Sequence, residues 1–253
     1  KDAGDAAGDA RLVRVGAPVG VPRWAIARAW WLAGVLGLLA AALLDRAAYH
    51  ALLVGKEIIE AELWYQAGRG VGTLWFWIAA GLGAGALRRG SWRVRVRTAL
   101  LVFLGAGLAG LGAEVLKVLV GRERPLLHDG STIFKPLMDL LVAQNLSFPS
   151  SHASVAFGGA FMALRLARAR GWRCATGAWM LMGLAAVCGV SRTLTGAHFL
   201  SDVVGGMLLG AGVSLLVRRA IPGRLARLCP EVFLLRRRFR DGAGAGRAAS
   251  IPS

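Results

Sequence analysis

TALLVFLGAGLAGLGAEVLKVLV, residues 98–120, is an apolar run whose only charges, Glu114 and Lys117, lie near its C-terminal end. As an α-helix rising ~1.5 Å per residue it would be just long enough to cross the ~30 Å hydrocarbon core of a bilayer. A helix apolar on every side needs lipid or a deep protein core around it.

Moving outward from this run, five more apolar stretches appear: Trp24 to Leu44, Val71 to Leu87, Ser151 to Leu166, Ala175 to Val190 and Phe199 to Val217. The chain has 253 residues, 56% of them hydrophobic, and a mean hydropathy of +0.54. So many apolar helices in so short a chain leave too little polar sequence to cover a soluble core. The expected fold is all-α: a polytopic membrane protein of six transmembrane helices with both termini cytoplasmic. Residues 1–23 read as a disordered or cytoplasmic tail, residues 24–217 as one membrane domain, and residues 218–253 as a basic cytoplasmic tail.

The formal net charge is +17. In a soluble protein that would point to nucleic acid, but its distribution points elsewhere. Lys and Arg number 4 in the N-terminal tail, 5 between Arg88 and Arg97, 4 between Arg165 and Arg173, and 9 after Val217. The alternate loops, Asp45 to Arg69, Val118 to Phe148 and Arg192 to Ala197, hold 3, 3 and 1. This is the positive-inside asymmetry, so the basicity orients the chain and touches anionic headgroups; no nucleic acid partner is expected.

Cys174, Cys188 and Cys229 form neither a disulfide framework nor a metal spacing. The opening KDAGDAAGDA has no apolar core and does not read as a signal peptide. The first external loop, AAYHALLVGKEIIEAELWYQAGRG, residues 47–70, mixes Leu52, Ile59 and Leu63 with Lys56, Glu57, Glu60 and Glu62. It reads either as an interfacial amphipathic helix, with Trp64 and Tyr65 at headgroup level, or as a helical extension of the first span.

Ionisable residues at a membrane rim are functional suspects. On this topology Lys117, Arg124, His152, Arg192, His198 and Asp202 all fall on the external side. His198 and Asp202 are four apart and share a helical face, so the carboxylate can hold the imidazole as a nucleophile or general base requires. Lys117 and Arg124, seven apart, share a face if the helix continues, although Pro125 makes a break near Arg124. Between Arg192 and His198 the turn TLTGA carries Gly196, which can reverse the chain. Three cations beside two histidines suit a phosphate, since Arg offers paired donors, Lys a point charge and a helix N-terminus free amides. His152, His198 and Asp202 could formally ligate zinc, but the neighbouring cations oppose it.

The motifs are KVLVGRERP (Lys117 to Pro125), PSSH (Pro149 to His152) and SRTLTGAHFLSD (Ser191 to Asp202). Their spacing resembles the three-part signature of the type 2 phosphatidic acid phosphatase superfamily, in its integral membrane lipid phosphatase branch. The motif core covers about a third of the chain. In one departure, the family's middle motif reads Pro-Ser-Gly-His, and Ser151 stands here for the glycine; this bears on how closely the phosphate approaches.

The resemblance implies that His198 attacks phosphorus to form a phosphohistidine, with Asp202 orienting it. It implies that His152 protonates the leaving group and then activates water. Lys117, Arg124 and Arg192, with the Ser150 hydroxyl and the Ser151 amide, would bind the substrate phosphate. No metal or organic cofactor is implied. Glu114 reads as a partner for Lys117; His50 and His128 match no motif position.

The expected function is therefore hydrolysis of a lipid phosphomonoester or diphosphate at the external face of a bacterial inner membrane, with the site toward the periplasm. A lipid-to-lipid phosphotransferase would use the same residues. A non-catalytic lipid-phosphate binding or transport protein would tolerate loss of residues that are intact here. Undecaprenyl diphosphate, phosphatidylglycerol phosphate, phosphatidic acid and lipid A phosphates are the candidate substrates, because the headgroup-selecting loops such as Leu126 to Leu146 carry no readable motif.

Overall fold

A computed structural model describes residues 23–137, 145–168 and 172–228. Of the tails expected over residues 1–23 and 218–253, residues 1–22 and 229–253 lie outside the described residues, as do Cys229, the Cys174 side chain and loop residues 138–144, whereas residues 218–228 continue α8. Among those described, the chain forms eight α-helices and no strand. They are α1 Arg23–Leu52, α2 Lys56–Ile59, α3 Leu63–Val71, α4 Leu74–Ala86, α5 Trp92–Val120, α6 Ser151–Arg168, α7 Trp172–Leu194 and α8 Leu200–Leu228. The chain divides into two units, Lys1–Leu36 and Gly37–Ser253. The described part of the first is the opening of α1, where Trp30, Leu32 and Leu36 are exposed.

Within the second unit α6 is the central helix, packed against α5, α7 and α8. Every residue from Ala153 to Ala160 is buried, and eight consecutive buried positions leave no face for solvent or lipid. The sequence permits this because α6 and its neighbours meet through small residues, the usual means of close helix approach in membranes. Gly105 of α5 lies against Gly158, Gly159 accommodates the fully buried Trp77 of α4, and Gly206 and Gly210 of α8 rest on the α6 backbone.

A Cβ at Gly210 would lie 2.6 Å from Gly158 N and 3.0 Å from both Phe157 C and Ser154 O. Backbone atoms cannot swing aside as a side-chain end can. Gly210→Ala is therefore expected to destabilise the bundle by ~1–3 kcal/mol. A lower thermal midpoint in detergent would register this, and an unchanged midpoint would contradict the packing.

Four helices hold segments long and apolar enough to cross a membrane: Arg28–Leu52, Trp92–Val120, Thr176–Leu194 and Leu200–Ala220. Exposed apolar side chains such as Leu43, Leu111, Met180 and Leu216 cover them, so this is an integral membrane protein. The other two spans read from the sequence differ. The second was expected from Val71, but Val71 ends α3, a break follows at Gly72 and Thr73, and α4 has only 13 residues. The fourth, α6, is shielded by its neighbours and so carries polar residues that a lipid-facing helix would not. The first span runs on from Leu44 to Leu52, and the two short helices α2 and α3 follow it. The loop is thus partly extension and partly separate helix, with Tyr65 buried and Trp64 exposed.

Candidate active site

One end of the bundle collects the chemistry. Helices α1, α5 and α7 finish there, and α4, α6 and α8 begin there, so the motif residues at those ends converge. Helix α5 stops at a left-handed Gly121 (φ 65°), whose N–H donates to Lys117 O at 2.7 Å. Arg124 consequently leaves the helix, and Lys117 and Arg124 do not share a helical face. The break comes from Gly121, four residues before Pro125. Beyond it Arg122 bridges to Phe134 and Glu123 to Leu146, and Arg124 N–H donates to Asn145 O at 3.0 Å.

Ser150 precedes α6 and accepts from Ala153 N–H at 3.4 Å, the position of an N-cap. Its own N–H donates to the Asp202 carbonyl at 3.0 Å, tying the start of α6 to α8. Ser151 Oγ donates to Glu114 Oε1 at 2.5 Å, and the same oxygen accepts from Lys117 Nζ at 3.1 Å. The residue that departs from the family pattern thus joins the lysine's partner. His152 packs over Gly72, where a Cβ would come within 2.6 Å of its ring, and over Cys188.

His198 follows the left-handed Gly196 and is 3% exposed. Its Nδ1 lies 2.9 Å from the Ser147 carbonyl and 3.6 Å from Asp202 Oδ2. A carbonyl can only accept, so Nδ1 carries the proton and Nε2 presents its lone pair. The direct Asp202 hydrogen bond expected from the four-residue spacing is therefore replaced by a main-chain one. Asp202 Oδ2 instead accepts from Phe199 N–H at 2.8 Å, closing the start of α8. Burial lowers the His198 imidazole to about 4 against the raising influence of Asp202, so it is neutral at physiological pH.

Arg124 and Arg192 lie within electrostatic reach of each other, and both reach His198. Burial, then Arg192, holds the Arg124 guanidinium below its ordinary value. The Nε atoms of Arg124 and Arg192 are buried with no hydrogen-bond partner among the described residues. Unpaired buried guanidinium donors are costly, and an oxyanion is their natural complement. Both arginines and His152 line a cavity of about 360 Å³ that extends to Lys56, Tyr65 and Arg69. Lys117 is buried on α5 beside them, within electrostatic reach of both arginines.

Sequence reasoning missed Asp45, Arg122 and Ser147. Arg122 is buried and donates to Asp202 Oδ1 at 2.9 Å, Asp45 Oδ2 at 2.8 Å, Ser201 Oγ at 2.6 Å and Thr132 Oγ1 at 3.2 Å. The charge of Asp45 ends an apolar run and so reads as the start of a loop, yet the residue lies within α1. His50 stacks edge-on against Tyr49, and His128 pairs with Glu123, so both lie in other surroundings. Among the described residues no group of three or more His, Cys, Asp or Glu is placed to hold a metal ion.

Comparison with known proteins gives a match to the PAP2 superfamily model over residues 98–226, just over half of the chain. The chain is 35% identical over 144 residues to lipid A 1-phosphatase of Rhizobium johnstonii, covering 54% of each protein. It thus spans about half the length of that relative. It is also 35% identical over 147 residues to decaprenylphosphoryl-5-phosphoribose phosphatase of Mycobacterium tuberculosis, covering 58% of this chain and 72% of that one. Among solved structures, the PAP2 type phosphatidylglycerolphosphate phosphatase of Bacillus subtilis aligns with a TM-score of 0.46 and 24% identity, over 74% of this chain and 93% of that one.

Proposed function

The chain belongs to the PAP2 superfamily, and we propose that it is a membrane phosphatase that hydrolyses a lipid phosphomonoester or diphosphate through a phosphohistidine. The observation that carries this reading is His198, neutral and fixed through Nδ1, beside two half-buried arginines whose buried Nε atoms lack hydrogen-bond partners among the described residues. Nε2 attacks phosphorus while Lys117, Arg124 and Arg192, with the Ser150 hydroxyl and the Ser151 amide, hold the equatorial oxygens. His152 protonates the departing lipid oxygen and then takes a proton from the water that cleaves the N–P bond. Asp202 acts on His198 through its charge at 3.6 Å and through the helix start it closes.

We place the membrane crossings at α1, α4, α5, α6, α7 and α8, with both termini cytoplasmic and the site at the external face, the periplasmic side of a bacterial inner membrane. The alternating helix directions and the excess of Lys and Arg in alternate loops support this arrangement. The names of the two phosphatase relatives favour a phosphomonoester on a large anionic lipid.

Phosphate release by the purified protein from lipid A, phosphatidic acid, phosphatidylglycerol phosphate and undecaprenyl diphosphate tests the reading. Release from at least one is expected and should continue in excess EDTA, because the cations already supply the charge a metal would bring. No release from any of them would overturn the assignment. Release abolished by EDTA and restored by a divalent ion would overturn the metal-independent chemistry.

A further inference from the structure

We propose that Asp45 and Arg122 are positioning residues for the nucleophile, forming a buried bridge that makes the C-terminal part of α1 a component of the active site. The inference rests on the reading of His198 as the attacking group. Asp45 lies outside the stretch matched by the family model, residues 98–226.

Two groups face the Nδ1 edge of His198, the Ser147 carbonyl and Asp202 Oδ2, and Arg122 holds both. Its guanidinium donates to Asp202 Oδ1 at 2.9 Å, fixing the carboxylate whose other oxygen lies 3.6 Å from Nδ1. Its main-chain carbonyl accepts from Ser147 N–H at 2.6 Å and from Ser147 Oγ at 3.2 Å, so it sets the carbonyl that receives the imidazole proton. The Phe199 ring stacks under the guanidinium, 3.9 Å from Cζ to the ring centre, and keeps the fork in plane.

Asp45 determines where that fork can sit. Its Oδ2 accepts from Arg122 at 2.8 Å and from Ser201 Oγ at 2.5 Å, and its Oδ1 accepts from Ser201 N–H at 2.8 Å. One guanidinium is therefore shared between two buried carboxylates. Sharing leaves Asp202 only partly neutralised, so its charge still acts on His198. A bridge built only for stability would need neither the shared charge nor the link to Ser147.

The test is Asp45→Asn, which keeps size but replaces an acceptor with a donor facing the guanidinium. It is read on phosphatidic acid in detergent micelles, or on lipid A where the wild type prefers it. The readout is the single-turnover rate constant at saturating enzyme excess, where it no longer depends on how much of the protein is folded. A fall of about tenfold or more is expected, as for a small displacement of reacting groups. KM should stay within about twofold, since Asp45 touches no phosphate-binding residue.

A wild-type rate constant in Asp45→Asn, or an effect confined to KM, overturns the inference. If Asp45→Asn does not fold, Ser201→Ala removes the hydroxyl between Asp45 and Arg122 without changing charge. A slower single turnover in that variant supports the proposal, and a wild-type one overturns it. A wild-type enzyme that releases no phosphate overturns the functional reading instead, so the two failures are distinct.

Discussion

His198→Asn is expected to lower phosphate release by about a thousandfold or more, roughly 4 kcal/mol of barrier, while the protein still folds. The carboxamide can donate to Ser147 O in place of Nδ1–H, so the buried contact survives while the lone pair of Nε2 is lost. Rapid acid-free quenching of the wild type with labelled substrate should give a phosphoprotein that is stable in base and labile in acid, and His198→Asn should give none. The pH dependence follows from the direction of the shift. The folded imidazole titrates at about 4, below its ordinary 6.5, so the nucleophile is deprotonated above pH 4 and is lost only as pH falls through that value. The acid limb of kcat/KM assigned to His198 should therefore lie near pH 4, after correction for titration of the lipid phosphate. Activity within tenfold of wild type in folded His198→Asn would remove His198 from the chemistry.

The sequence made the helices and motif spacing readable because both are local. Apolar runs identified α5, α7 and α8, and the serines before His152 marked the start of α6 through Ser150. Hydropathy follows the apolar centre of a helix, though, and not its ends. The apolar pattern opens only at Thr98 although the helix begins at Trp92, because Arg93, Arg95 and Arg97 interrupt the pattern without interrupting the backbone ladder. The pattern likewise closes at Leu44, whereas Asp45 continues α1 with its charge met by Arg122 and Ser201, 77 and 156 residues away. No local window contains such a pair. The close fit at Gly72 was equally hidden, since the His152 ring that leaves no room for a Cβ there comes from a distant part of the chain. The His198 contact shows the limit of spacing arguments. Four residues do bring Asp202 alongside, but the closest acceptor is a carbonyl from Ser147, 51 residues distant.

Arg192→Leu is expected to cost about a hundred- to thousandfold in kcat/KM, the usual consequence of removing one charged donor from a transition-state oxygen. The same change should leave the thermal midpoint unchanged or raise it. Arg192 sits in the last turn of α7 with its Nε buried and unpartnered among the described residues, and it lies within repulsive reach of Arg124 and Lys117. In the protein alone it therefore contributes desolvation and like-charge repulsion, and only a bound phosphate converts those costs into attraction. A leucine removes both costs and retains the stem's packing. Arg192→Lys restores the charge without the planar fork and should recover about tenfold of the loss, with KM further from wild type than kcat. Activity and thermal midpoint measured on the same preparations decide between roles. A lost activity with an undiminished midpoint marks Arg192 as a group held in place for substrate. A midpoint that falls with activity would mean that α7 needs this charge to fold, and the phosphate would then have to be held by Arg124 and Lys117 alone.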